Sequence, residues 1–175
     1  MVRLDFTGVE NLLLGGSYYI GHSAQDVDGI NGKVEIMEAH AEINLGGFRG
    51  RALWADAQVD DVVALRTAGL GAAPGATDVI GRNLQGGYLE GSFDLFSLLD
   101  RDDHLTPFLR HESYDLQRDR PNGFTATGMF DVRVTTVGLA YQPNPNLIFK
   151  ADFQNYDSLD HSRPNQFNLG MGYIF

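Results

Sequence analysis

From one end of the chain to the other, apolar residues recur at every second position. This is the spacing of strands with one apolar and one polar face, and no helical period competes with it over a comparable length. The last ten residues are the plainest case. Phe167, Leu169, Met171, Tyr173 and Phe175 fall on one face, against Asn168, Gly170, Gly172 and Ile174 on the other. Leu147, Phe149, Ala151 and Phe153 alternate with Ile148, Lys150, Asp152 and Gln154. The same alternation runs through Val137–Tyr141, Pro107–Tyr114, Tyr88–Leu95, Met37–Ile43 and Leu12–Gly21. Arg51 to Asp56 forms a further strand whose facing the pattern leaves open. The count is about eight strands of the ~9–11 residues that cross a bilayer at a barrel tilt.

The connections alternate in length. GGFRG (46–50), LLDRDDH (98–104) and QPNPN (142–146) are short, whereas 23–33, 60–83, 117–131 and 157–165 are long. Short-long alternation is the habit of a transmembrane barrel with tight turns at one rim and larger loops at the other. Val2, Leu4 and Phe6 alternate with Arg3 and Asp5, then TGVEN turns the chain, giving the end of a ninth strand. Bacterial single-chain barrels have even strand numbers. The expectation is therefore one antiparallel transmembrane β-barrel domain over 1–175, or the C-terminal part of a larger barrel that starts before Met1.

Composition excludes several classes. Thirteen Lys plus Arg against 23 Asp plus Glu leave a net charge of −10, wrong for a protein that tracks nucleic acid. The absence of cysteine removes disulfide scaffolds and thiolate chemistry. No apolar run reaches the ~20 residues of a membrane helix, and MVRLDFTG lacks the apolar stretch of a signal peptide. A hydrophobic content of 43% is too high for a disordered acidic chain.

The terminal strand ending at Phe175 resembles that of Gram-negative outer-membrane proteins. More narrowly, GGYLEGSFDLFSLL, LTPFLRHESYDLQ, GLAYQPNPNLIFKADFQ and NQFNLGMGYIF resemble the closing strands of bacterial porins of the phosphate-selective type. The resemblance implies a bacterial outer-membrane location, contact with outer-membrane lipids, and insertion by the barrel-assembly machinery. In that family the strand bearing Phe167, Leu169, Met171, Tyr173 and Phe175 is the assembly signal. Homotrimer formation and pore size rest on the resemblance alone.

Under the porin reading the polar face lines the pore. Glu38, His40, Glu42, Glu90, Asp94, Arg110, Glu112, Lys150 and Asp152 are its candidate lining residues, with Arg3 and Asp5 at the start and Arg51 if it faces in. Charged side chains cost several kcal/mol in lipid, so a water-filled lumen is their place. No Lys/Arg ladder of the kind a phosphate-selective pore needs is present, so anion specificity does not follow. Glu38, His40 and Glu42 share a strand face, but same-face neighbours diverge by ~7 Å, awkward for one metal ion. DVDGING (26–32) has Ile30 where an EF-hand needs an oxygen ligand, and reads as a solvated acidic loop. In 60–83, Asp60 or Asp61 caps a short helix through Ala68 with Gly69 as its stop, on a loop that either enters the lumen or stays at the surface.

No Gly-x-Ser-x-Gly, His-Glu-x-x-His or Walker sequence is present, and nothing singles out Glu90 and Glu112 as a catalytic pair, so neither enzyme chemistry nor a cofactor is expected. The leading expectation is a passive porin for small hydrophilic solutes or ions. The alternative is a small closed eight-stranded barrel with a structural or adhesive role. A soluble lipocalin-like barrel is weaker, because the row Phe167–Phe175 would then be an exposed apolar patch.

Overall fold

In a computed structural model, residues 1–24, 27–70, 81–99, 101–125 and 128–174 are described. They form one antiparallel sheet of nine strands in sequence order, each bonded to the next. The strands are β1 (Val2–Val9), β2 (Leu12–His22), β3 (Lys33–Leu45), β4 (Phe48–Val59), β5 (Asn83–Phe93), β6 (His104–Asp119), β7 (Asp131–Asn144), β8 (Leu147–Ser158) and β9 (Gln166–Tyr173). One helix, α1 (Val62–Thr67), and two 3₁₀ turns, Leu95–Leu98 and Gly128–Phe130, interrupt them.

The partial strand expected before residue 7 is a full strand paired with β2 from Val2↔Tyr18 onward, so the count is nine rather than eight. Among the described residues β1 and β9 are the two ends of the sheet and do not pair with each other; the expected closed barrel is an open sheet. Both edge strands run toward the short-turn end. Joining them directly would make a parallel seam, and an all-antiparallel closure takes an odd number of further strands.

Three connections at one end are two-residue turns. Glu10-Asn11 and Gly46-Gly47 each place one residue in the left-handed region (Asn11 φ 62, Gly46 φ 57), and Pro145-Asn146 makes the third. Tight turns of this kind match the twist of the flanking strands. The β5–β6 connection departs from expectation. Periodicity carries the strand through Leu95, but the chain leaves the sheet after Phe93, because Asp94 accepts the Phe96 N–H and starts a 3₁₀ turn.

Burial is inverted relative to a water-soluble sheet. Register puts Leu4, Leu14, Ala41, Ala52, Leu89, Leu109, Val137, Phe153 and Phe167 on one face, and most of them are exposed. The opposite, polar face holds the buried Val132, Val134, Thr136 and Ser158.

A conventional apolar core exists only at the long-loop end. Val62 and Leu65 of α1 pack with Ala24 and Val59, and Ile30, Val34, Leu70, Leu84 and Phe124 close around them. Val34, Val59 and Leu84 belong to the polar-face side, so α1 folds over that face. Asp61 occupies the N-cap as expected, but its side chain accepts the Asn31 N–H of the neighbouring loop instead of capping the helix. Gly69, with φ 78, ends the turn. Residues 71–80, including the expected turn at 71–75, lie outside the described residues, as does Asp26 of the acidic loop.

Candidate functional site

The polar face is a charged wall built by register. Glu42, Arg51, Glu90 and Arg110 are directly opposed on β3, β4, β5 and β6, so signs alternate across four strands. Arg51 donates through Nε to Glu90 Oε1 at 3.0 Å and through Nη2 to the same oxygen. Arg110 Nη1 lies 3.8 Å from Glu90 Oε2, while its Nε donates to Glu112 Oε2 at 2.6 Å. The Arg110 guanidinium also stacks 3.8 Å over the Tyr88 ring. Glu42 receives Arg49 Nη2 at 2.9 Å on both oxygens. These contacts decide the facing of β4 that the sequence left open: Arg49 and Arg51 point to the polar face.

Next to the ladder, β1, β2 and β3 bring together Arg3, Asp5, Ser17, Glu38 and His40. His40 Nδ1 is 2.6 Å from Glu38 Oε1, and Nε2 is 3.2 Å from both Asp5 Oδ1 and Arg3 Nη2. Ser17 Oγ donates to Glu38 Oε2 at 3.0 Å. Gly15 lies opposite His40, and a Cβ there would overlap the imidazole and the Asp5 carboxylate, so glycine is what lets the cluster close. Each imidazole nitrogen already faces a carboxylate, and among the described residues no three such side chains are placed so that they could hold one metal ion.

Toward β9 the wall is sparser. Lys150 sits 4.5 Å over the Phe108 ring, which spreads across Gly138. Asp152 accepts Asn168 Nδ2 at 3.0 Å. Of the nine candidate lining residues, eight thus share the polar face: Glu38, His40, Glu42, Glu90, Arg110, Glu112, Lys150 and Asp152.

Asp94 does not share it. Its carboxylate braces the β5–β6 connection, accepting the N–H groups of Phe96 and Leu105 at 3.1 Å each and contacting His104 Nδ1 at 2.7 Å. Burial pushes the Asp94 carboxyl up, but the His104 and backbone hydrogen bonds outweigh it and hold it below the ordinary value. In the same connection Arg101 stacks 4.4 Å over Phe96 and forks onto Asp103, holding the Asp103 carboxyl down to about 2, with the Tyr141 hydroxyl assisting.

Sequence reasoning missed Arg163. From the β8–β9 connection it donates to the Tyr114 hydroxyl at 3.2 Å and to the Met129 carbonyl at 3.1 Å, laying that loop back over the polar face. A lone arginine in a Ser/Pro/Asn loop carries no periodic signal by which to find it.

The apolar face has a boundary. From the short-turn end, the run Phe48–Trp54 gives way to Asp56 and Gln58 on β4, Phe93–Gly87 to Gln85 on β5, and Leu105–Leu109 to His111 and Ser113 on β6. Tyr141–Val137 gives way to Thr135 and Arg133 on β7, and Leu147–Phe153 to Asn155 and Asp157 on β8. The crossover falls after five to seven residues on each strand, ~16–23 Å of chain. Phe167, Leu169, Met171 and Tyr173 of the expected assembly strand are all on this face and exposed; Phe175 lies outside the described residues.

No protein-family model matches the chain, and no solved structure does. An uncharacterized protein of Aquifex aeolicus (strain VF5) is 26% identical over 176 residues, covering 99% of this chain. The chain spans about 40% of the length of that relative.

Proposed function

We propose that the chain is part of the wall of an outer-membrane porin, a passive channel for small hydrophilic solutes or ions. The observation that carries the reading is the inverted burial: a charged, internally paired face is half-buried while the apolar face stands exposed. In water such an arrangement forfeits most of the hydrophobic stabilisation available to 175 residues. In a bilayer the exposed face is the buried one, and the charges need the water of a lumen. At a barrel tilt of ~40° the apolar run spans roughly 13–18 Å, which covers the greater part of the ~25 Å band of outer-membrane barrels at its longest strands.

The free edges fit a wall completed by further strands, and a relative that extends well beyond the matched region leaves chain for them. An odd strand number whose edges run the same way counts against the small closed eight-stranded barrel. Outer-membrane lipid, insertion through the β9 strand and a homotrimeric form come with the porin reading, and no catalytic step does. Since each arginine of the ladder is neutralised by a carboxylate, the wall offers no anion-selective track.

The chain has no cysteine, so single cysteines report cleanly. In lipid vesicles a water-soluble maleimide should label Gln154→Cys on the polar face and spare Leu169→Cys on the apolar face, and planar bilayers should show stepwise conductance once the chain is joined to the strands that complete the wall. Equal labelling of the two would refute the membrane wall; selective labelling with no conductance from the completed wall would refute the channel.

A further inference from the structure

The polar face has a hollow between β4, β5 and β6. Its volume is about 320 Å³, at the small end of the roughly 300–1,000 Å³ of ligand cavities, which suits a single ring better than a long chain. Register makes it. Ala55, Gly86 and Tyr114 form one cross-strand row, Leu53, Tyr88 and Glu112 form the next toward the short-turn end, and Ala57 opposes Leu84 on the other side. Small residues therefore floor a gap that two tyrosines flank.

Both rings are held in place. The Arg110 guanidinium stacks on Tyr88, and Arg163 donates to the Tyr114 hydroxyl at 3.2 Å from the rim. At the edge of the hollow Arg110 Nε donates to Glu112 Oε2 at 2.6 Å, which sets donors and acceptors side by side. Charge argues for a neutral occupant. An anion would meet Glu112 and Glu90 on either side of Arg110, and a cation would meet Arg110 and Arg163. A purely apolar solute would cover the Arg110–Glu112 pair without replacing the water it loses.

We propose that this hollow binds one ring of a neutral sugar. Tyr88 and Tyr114 pack against its C–H groups, which the negative face of an aromatic ring attracts, while Arg110 donates to and Glu112 accepts from adjacent ring hydroxyls. The solute class deepens the porin reading and its passage along the wall rests on that reading; the binding site itself does not. A weak site suits such a wall, since solute must leave as readily as it enters.

The test is saturation-transfer NMR of the full chain in phosphocholine-detergent micelles, titrated with methyl β-glucoside. The sugar's ring protons should receive saturation from the protein. Tyr88→Ala and Tyr114→Ala should each weaken binding about fivefold, the worth of one stacked ring, and Tyr88→Phe should stay within about twofold of the wild type. No transfer in the wild type, or unchanged affinity in Tyr88→Ala, overturns the proposal. Tighter binding of glucuronate, the same ring with a carboxylate, overturns the neutral class. Should Tyr88→Ala fail to fold, Ala55→Leu fills the hollow and should abolish binding; retained binding refutes the site. The measurement needs neither bilayer nor conductance. Sugar bound by a chain whose Gln154→Cys and Leu169→Cys label equally upholds the site and refutes only the porin reading, while selective labelling without sugar binding refutes the site alone.

Discussion

Leu89→Arg separates a bilayer-facing sheet from a water-facing one. Leu89 lies midway along the apolar run of β5, between Ala52 of β4 and His111 of β6, and is 67% exposed. An arginine there meets a small methyl on one side and an imidazole on the other, so sterics contribute little. If the face is in water, such a change costs within about 0.5 kcal/mol. If the face is in lipid, an arginine near the midplane costs about 2–4 kcal/mol. At 1.36 kcal/mol per tenfold that is a drop of roughly 30- to 900-fold in the folding equilibrium. The assay is reversible urea unfolding in phospholipid vesicles, followed by the fluorescence of Trp54. This is the protein's single tryptophan, on the same face of β4. Gln166→Arg, on the polar face of β9, is the control and should change stability by less than about 0.5 kcal/mol. A Leu89→Arg cost no larger than that of the control would refute the assignment of the apolar face to lipid.

Glu90→Gln removes the negative charge that Arg51 and Arg110 share. Because Glu90 is only 11% exposed while both arginines keep contact with solvent, the loss should be about 1–2 kcal/mol, the lower part of the range for hydrogen bonds to charged groups. A double-mutant cycle with Arg51→Gln should return most of it as coupling. Leu65→Ala, at a side chain 2% exposed in the loop-end cluster, should cost about 2–4 kcal/mol. Hydrogen exchange should show that loss in α1 and its neighbouring loops, with β7 and β8 protected as before. Asp103, held down to about 2 by Arg101, stabilises the fold above its unfolded value near 3.8. That contribution should vanish as the pH falls from about 4 to 2. Denaturant midpoints should therefore drop in that window, and Arg101→Gln should flatten the drop.

The strands were legible because a half-buried strand writes its two faces as alternation, whichever face meets solvent. Leu147–Phe153 and Phe167–Tyr173 are examples. The stop of β5 was not legible: Leu95 continues the alternation, and only the Asp94 hydrogen bonds to Phe96 and Leu105 take the chain out of the sheet. The facing of Arg49 and Arg51 was equally closed to sequence, since Gly50 between them and Ala52 after them are too small to mark an apolar face. Glu90 opposite Arg51 settles it.

By itself the sequence determined about eight alternating segments with the end of a ninth, and, outside Arg51–Asp56, which residues of a segment share a face, because side-chain direction along a strand is fixed by backbone geometry with period two. It could not determine which residues of different strands meet. That depends on register, and a one-residue slip would send every side chain of a strand to the other face. The Glu42–Arg51–Glu90–Arg110 ladder, the seating of His40 between Asp5 and Glu38, and the folding of α1 and Arg163 over the polar face are all products of that register. So is the open edge between β1 and β9, since strand direction and pairing, rather than any local pattern, decide whether a sheet closes.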